Sequence, residues 1–147
     1  MTLPTPRLGL VVHYGFVWTG PARQSPPDAG KDRPCVIVDL RRLVDVRVAD
    51  RPIIRVTYLP ISHVPPRGGE QALAIPAALA RYLKLTSERS YAYVSYAVED
   101  DWPLDLAHVP GSTDKFDYGF VPERFFSALA ANFATHLLAR PGFIHRR

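Results

Sequence analysis

One cysteine, one methionine and two tryptophans are found among the 147 residues. A lone thiol cannot close an internal disulfide, which excludes a small scaffold stapled by its own bridges. Cys35 lies inside an apolar run, where a cysteine acts as a small buried hydrophobe and suits a reducing compartment. Long apolar runs are also missing. No stretch approaches the roughly 20 residues of a membrane-spanning helix, and Met1-Thr2-Leu3-Pro4-Thr5-Pro6-Arg7 lacks the apolar core of a signal peptide. The expected location is cytoplasmic, with no membrane partner. No glycine-rich nucleotide fingerprint and no Gly-x-Ser-x-Gly elbow occur. The five histidines are scattered and, with one cysteine, have no metal-ligand spacing. No metal site is expected.

Apolar residues make up 47% and charged residues 22%, which suits one ordered domain spanning residues 1–147. The net charge of +4 permits an anionic partner such as RNA without requiring one. Proline is the residue in excess, with 15 copies that break the chain into short elements joined by stiff loops. Pro21, Pro26 and Pro27 mark one loop; Pro60, Pro65 and Pro66 mark another; Pro103, Pro110 and Pro122 punctuate the last third.

Hydrophobic periodicity predicts strands over Val11–Trp18, Pro34–Leu40, Leu43–Ala49, Ile53–Ile61 and Tyr91–Val98, with a hairpin-like turn at Asp50-Arg51-Pro52. A short helix is predicted over Pro76–Leu83, opened by its proline. A longer one over Pro122–Ala139 carries an apolar stripe of Phe125, Phe126, Leu129, Phe133 and Leu137 and stops at Pro141-Gly142. The fold class is mainly β with helices: a small, strongly curved sheet or barrel with a short helix and a C-terminal amphipathic helix. The segment at about 101–120 reads as an insertion before that helix.

The richest stretch is Gly30-Lys31-Asp32-Arg33-Pro34-Cys35-Val36-Ile37-Val38. Proline has no N–H and a fixed φ, so it suits the first residue of a strand and pushes its predecessor into extended backbone. Arg33 then sits at the mouth of a sheet, where a permanent planar cation can meet a phosphate; a surface arginine paired with Asp32 is the plainer alternative. Ser62 and His63 end a second strand, before the loop Val64-Pro65-Pro66-Arg67-Gly68-Gly69. A hydroxyl and an imidazole there can bind a phosphate oxygen and move a proton, or can simply end the strand with local hydrogen bonds. His13 falls on the less apolar face of the first strand. Arg7, Arg23, Lys31, Arg33 and Arg67 form one basic rim if the first loops cluster, and Tyr14, Trp18 and Tyr58 are either stacking surfaces for bases or core. The run Glu99-Asp100-Asp101 reads as a solvated acidic turn after a strand, in preference to a carboxylate cluster for acid–base chemistry or a divalent metal.

Leu10-Val11-Val12-His13-Tyr14, Lys31-Asp32-Arg33-Pro34-Cys35-Val36-Ile37-Val38 and Tyr58-Leu59-Pro60-Ile61-Ser62 together resemble the MazF/PemK family of toxin endoribonucleases. The resemblance implies an SH3-like barrel of the CcdB/PemK type, a homodimer, an antitoxin partner, and cleavage of single-stranded RNA by its own 2′-hydroxyl without metal or other cofactor. It assigns catalytic roles to Arg33 and Ser62; beside them His63, with His13 as the second choice, is the candidate acid or base. Arg33 matches the arginine that stabilises the phosphorane, and Ser62 stands where the family commonly has threonine. Lys31, Arg67, Arg23 and His13 would contact RNA. Three features depart from the family pattern: Gly30 lies one residue further from Arg-Pro, the loop from Thr19 to Lys31 lacks the usual Glu-Gln-x-Gly, and the hydroxyl is serine. The other functions weighed are a catalytically silent RNA- or protein-binding module and a CcdB-like poison of a protein target.

Overall fold

The computed structural model describes residues 3–15, 32–85, 89–139 and 144–145. Its centre is a long hairpin of β2 (Arg33–Asp45) and β3 (Arg51–Ser62). β1 (Leu10–Tyr14) pairs antiparallel with β2, and β7 (Asp117–Phe120) antiparallel with β1. The far side of β3 is shared. Its middle, Arg55–Tyr58, pairs with β6 (Val98–Asp101) and its last two residues with β5 (Ser90–Tyr93), which carries β4 (Ala72–Ile75). A two-residue β8 (Ile144–His145) lies parallel to β6. The strand path β4-β5-β3-β2-β1-β7 is an open, predominantly antiparallel sheet with β4 and β7 as its edges. Helices α1 (Ala77–Tyr82) and α2 (Glu123–Ala139) complete the mainly β fold.

The strand period of two explains why the central segments are continuously apolar. Val11, Val36, Val38, Leu59 and Ile61 point to one face, into a core shared with Leu79 and Leu83 at α1 and with Leu129 and Phe133 of α2. Val12, Tyr14, Cys35, Ile37, Val56 and Tyr58 point to the other face, into a second core. Both faces are covered, so polar alternation disappears. Tyr14 and Tyr58 are stacked with centroids 4.1 Å apart and fully buried. They are core, and the base-stacking alternative fails for them; Trp18 lies outside the described residues. Cys35 is a buried free thiol, as expected.

Several predicted boundaries are corrected. Pro34–Leu40 and the first part of Leu43–Ala49 form one strand, because Arg41 and Arg42 lie on an exposed arm of the hairpin rather than in a break. The turn is Val46–Asp50, where Ala49 and Asp50 take left-handed φ of 47° and 53°. Arg51 and Pro52 already belong to β3. Pro52 pairs opposite Val44, beyond the reach of β6, where a missing N–H costs little. Tyr91–Val98 is split between β5 and β6 because the two lie along different parts of β3. β4 was not predicted, and the segment read as an insertion contains β7, an integral edge of the sheet.

The acidic run is the largest correction. Glu99, Asp100 and Asp101 form most of β6, with exposures of 2%, 0% and 9%. Arginines from the neighbouring hairpin and a tyrosine from β1 compensate them. Arg41 bonds Glu99, Arg55 Nε donates to Asp101 at 2.7 Å, and the Tyr14 hydroxyl donates to Asp100 at 2.6 Å. A sequence window around 99–101 contains none of these partners.

The apolar stripe of α2 behaves as expected. Leu129 and Phe133 are buried, with Phe125, Phe126 and Leu137 packed at the margin. Leu129→Ala should cost about 3 kcal/mol and lower Tm by about 10 °C. Leu138→Ala, at an 88% exposed position, should change stability by less than about 0.5 kcal/mol. Thermal melts of the two variants check this.

Candidate functional site

The start of β2 and the end of β3 meet because the strands are antiparallel. Cys35 pairs with Pro60, and the same register carried two residues further sets Arg33 opposite Ser62. On the other side of β2, Tyr14 pairs with Arg33 and His13 with Pro34. Arg33, Ser62, His63 and His13 therefore line one cleft of about 250 Å³. Asp32, Lys84, Ser90 and Tyr118 also line it, with Val109 and Pro110 on the loop before β7.

Arg33 is not an exposed loop cation. It is the first residue of β2 and only 3% exposed, at the cleft floor. Its carbonyl accepts a weak bond from the Cys35 thiol at 3.6 Å. Burial pushes that thiol far up, leaving it protonated and inert. Ser62 is 4% exposed, and its Oγ accepts the Val64 N–H at 3.1 Å. This is the strand-ending hydrogen bond, and it coexists with a place in the cleft, since a serine oxygen can accept one bond and donate another. His63 is exposed at the rim.

His13 is 8% exposed, and its Nδ1 lies 2.7 Å from the Tyr118 hydroxyl. Burial holds its pKa below the ordinary 6.5, while the Asp32 carboxylate pulls it back up. Burial also pushes the Tyr118 phenol well up, so it stays protonated at neutral pH. The register of β7 against β1 slips between Val11 and Val12, and such a bulge re-aims nearby side chains. Gly119 follows at φ +104°, its N–H held by Asp117 Oδ1 at 3.1 Å. A side chain there would strain the backbone.

Lys84 reaches the cleft through a helix-ending motif. The Leu85 N–H bonds the Ala80 carbonyl at 2.9 Å and the Lys84 N–H bonds the Arg81 carbonyl at 3.0 Å, the Schellman pattern. Lys84 occupies the left-handed position usually held by glycine, with φ +57°. A strained non-glycine residue in a cleft is a pointer to function.

The basic rim is only partly assembled. Arg67 does not line the cleft; its backbone N–H and guanidinium both face Glu70, at 2.8 and 3.8 Å. Arg7 is exposed outside it. Arg23 and Lys31 lie outside the described residues. Lys84 and Tyr118 were missed by sequence reasoning. A lysine where a short helix should end in glycine, and a Tyr-Gly step on a short strand, were the available signals. Among the described residues, no helix is long and apolar enough to cross a membrane, and no three His, Cys, Asp or Glu side chains gather as a metal cage. No family model matches this chain, and neither a curated protein nor a solved structure is found to be similar to it.

Proposed function

We propose that this protein is a PemK/MazF-like endoribonuclease, the cytoplasmic toxin of a toxin–antitoxin pair, acting on single-stranded RNA as a homodimer of SH3-like barrels. The observation that carries the reading is the meeting of Arg33 and Ser62 in one cleft with two histidines and Lys84. A cation on a rigid strand start beside a hydroxyl on a strand end suits a phosphodiester. The guanidinium offers two parallel donors to the equatorial oxygens of the phosphorane, whose charge grows as the 2′-oxygen attacks. Being fixed in place, it strengthens its interaction as that charge develops and lowers the barrier selectively. The Ser62 hydroxyl holds a phosphate oxygen, and His63 at the rim gives a proton to the leaving 5′-oxygen. The 2′-O–P bond forms, the P–O5′ bond breaks, and the ends are a 2′,3′-cyclic phosphate and a 5′-hydroxyl.

The 3% exposure of Arg33 favours a second reading, a catalytically silent module in which the arginine serves the fold. Incubating the purified protein with a long RNA in EDTA separates the two. Discrete cuts ending in cyclic phosphate are expected. Intact RNA would overturn the nuclease reading.

Lys84 would hold a flanking phosphate. Lys84→Gly should stabilise the protein by about 0.5–1 kcal/mol, because the left-handed position is relieved. It should also weaken RNA binding and reduce the salt dependence of binding by about one phosphate contact. A thermal melt and a salt titration of RNA affinity check both signs.

A further inference from the structure

We infer that His13 and Tyr118 form a two-residue proton-accepting unit, in which His13 is the catalytic base for the 2′-hydroxyl and Tyr118 is the residue that positions it. The inference rests on the endoribonuclease reading, which needs an acceptor for the 2′-hydroxyl proton. The two side chains come from strands 105 residues apart in sequence and meet at 2.7 Å on the wall of the Arg33–Ser62 cleft. His63 is exposed at the rim, whereas His13 is held between β2 and β7.

Tyr118 is the hydrogen-bond partner of Nδ1, so the tautomer of the ring is set by the direction of that bond. In the inferred unit the Tyr118 oxygen accepts Nδ1–H, which leaves the lone pair on Nε2. Burial lowers the affinity of the ring for a proton, so at neutral pH it is uncharged and ready to accept one. The 2′-hydroxyl proton moves to Nε2 as the 2′-O–P bond forms, and the ring becomes an imidazolium. Asp32, whose charge already favours that cation, stabilises it together with the Tyr118 oxygen. His63 has meanwhile given its proton to the 5′-oxygen, and exchange with water restores both rings. The charged and titratable groups around His13 are Asp32 and Arg33 at the start of β2, His63 at the end of β3, Lys84 after α1 and Tyr118 on β7. Tyr14, the next residue of β1, is turned to Asp100 in the opposite core.

Two measurements test the unit. The first is long-range proton–nitrogen NMR of the imidazole rings in the RNA-free protein. The expected His13 ring is neutral at pH 7 and protonated on Nδ1, and Tyr118→Phe moves that proton to Nε2. A wild-type ring protonated on Nε2 overturns the positioning role. The second is the pH profile of RNA cleavage in EDTA, with thermal melts confirming that each variant is folded. The wild-type acid limb should have its midpoint below 6.5, the ordinary histidine value. His13→Gln should lose the limb and cut about a hundredfold more slowly. Tyr118→Phe should lower kcat about tenfold with KM unchanged. His63→Gln should slow cleavage while keeping the acid limb. If His13→Gln cuts at the wild-type rate, or merely scales the profile, the base role is overturned while the nuclease reading stands. If the wild-type protein leaves RNA intact, the nuclease reading falls and the base role with it.

Discussion

Arg33→Ala is expected to lower the rate of RNA cleavage about a thousandfold, the scale set by removing a fixed donor or cation from a developing oxyanion or phosphorane. Arg33→Lys should recover only part of this loss, to about a hundredfold below wild type. A lysine keeps the charge but loses the planar fork that meets two oxygens at once. Because Arg33 is 3% exposed, the alanine variant also loses packing and must be compared as rate per folded molecule, well below its own Tm. Rates on a single RNA, with urea titrations of each variant, separate the two effects. An Arg33→Lys protein that is less stable than wild type yet cuts as fast per folded molecule would mean the guanidinium serves the fold alone.

Arg55→Ala should produce the largest stability loss among the charged residues, about 3 kcal/mol, with Tm lower by about 10 °C. Arg55 is mostly buried and faces two carboxylates, Asp101 at 2.7 Å and Glu99 at 3.7 Å, both set in β6. Removing the cation leaves two buried carboxylates short of compensation, which costs more than the ion pairs themselves are worth. Arg47→Ala provides the contrast. Arg47 bonds Asp45 at 3.1 Å but its side chain is 84% exposed, so its loss should cost less than about 0.5 kcal/mol. Urea denaturation of both variants measures the difference. Equal effects would show that burial does not govern these pairs.

The amphipathic α2 and the apolar halves of β2 and β3 were legible because each carries its own signal, a 3.6-residue stripe or a continuous apolar run. Arg-Pro at a strand entrance and Ser-His at a strand exit were legible as motifs, and antiparallel pairing brought them together. What could not be read was anything that depends on a distant partner. Glu99-Asp100-Asp101 looks like solvated surface until Arg41, Arg55 and Tyr14 arrive from three other stretches of chain. Tyr118 enters the cleft only through a register slip on an edge strand. Arg67 follows the site in sequence yet turns to Glu70, because a local carboxylate outcompetes a cleft several residues away.

In the proposed reaction this cleft directs a 2′-hydroxyl onto its own phosphodiester. The most direct test is a short RNA carrying one mapped cleavage site, compared in EDTA with the same strand made 2′-deoxy at the cleaved nucleotide alone. The all-ribose strand is expected to be cut to a 2′,3′-cyclic phosphate and a 5′-hydroxyl, and the single deoxy substitution to abolish cutting while binding persists. Cutting of the deoxy strand at the same bond, or an all-ribose strand left intact by the wild-type protein, would contradict it.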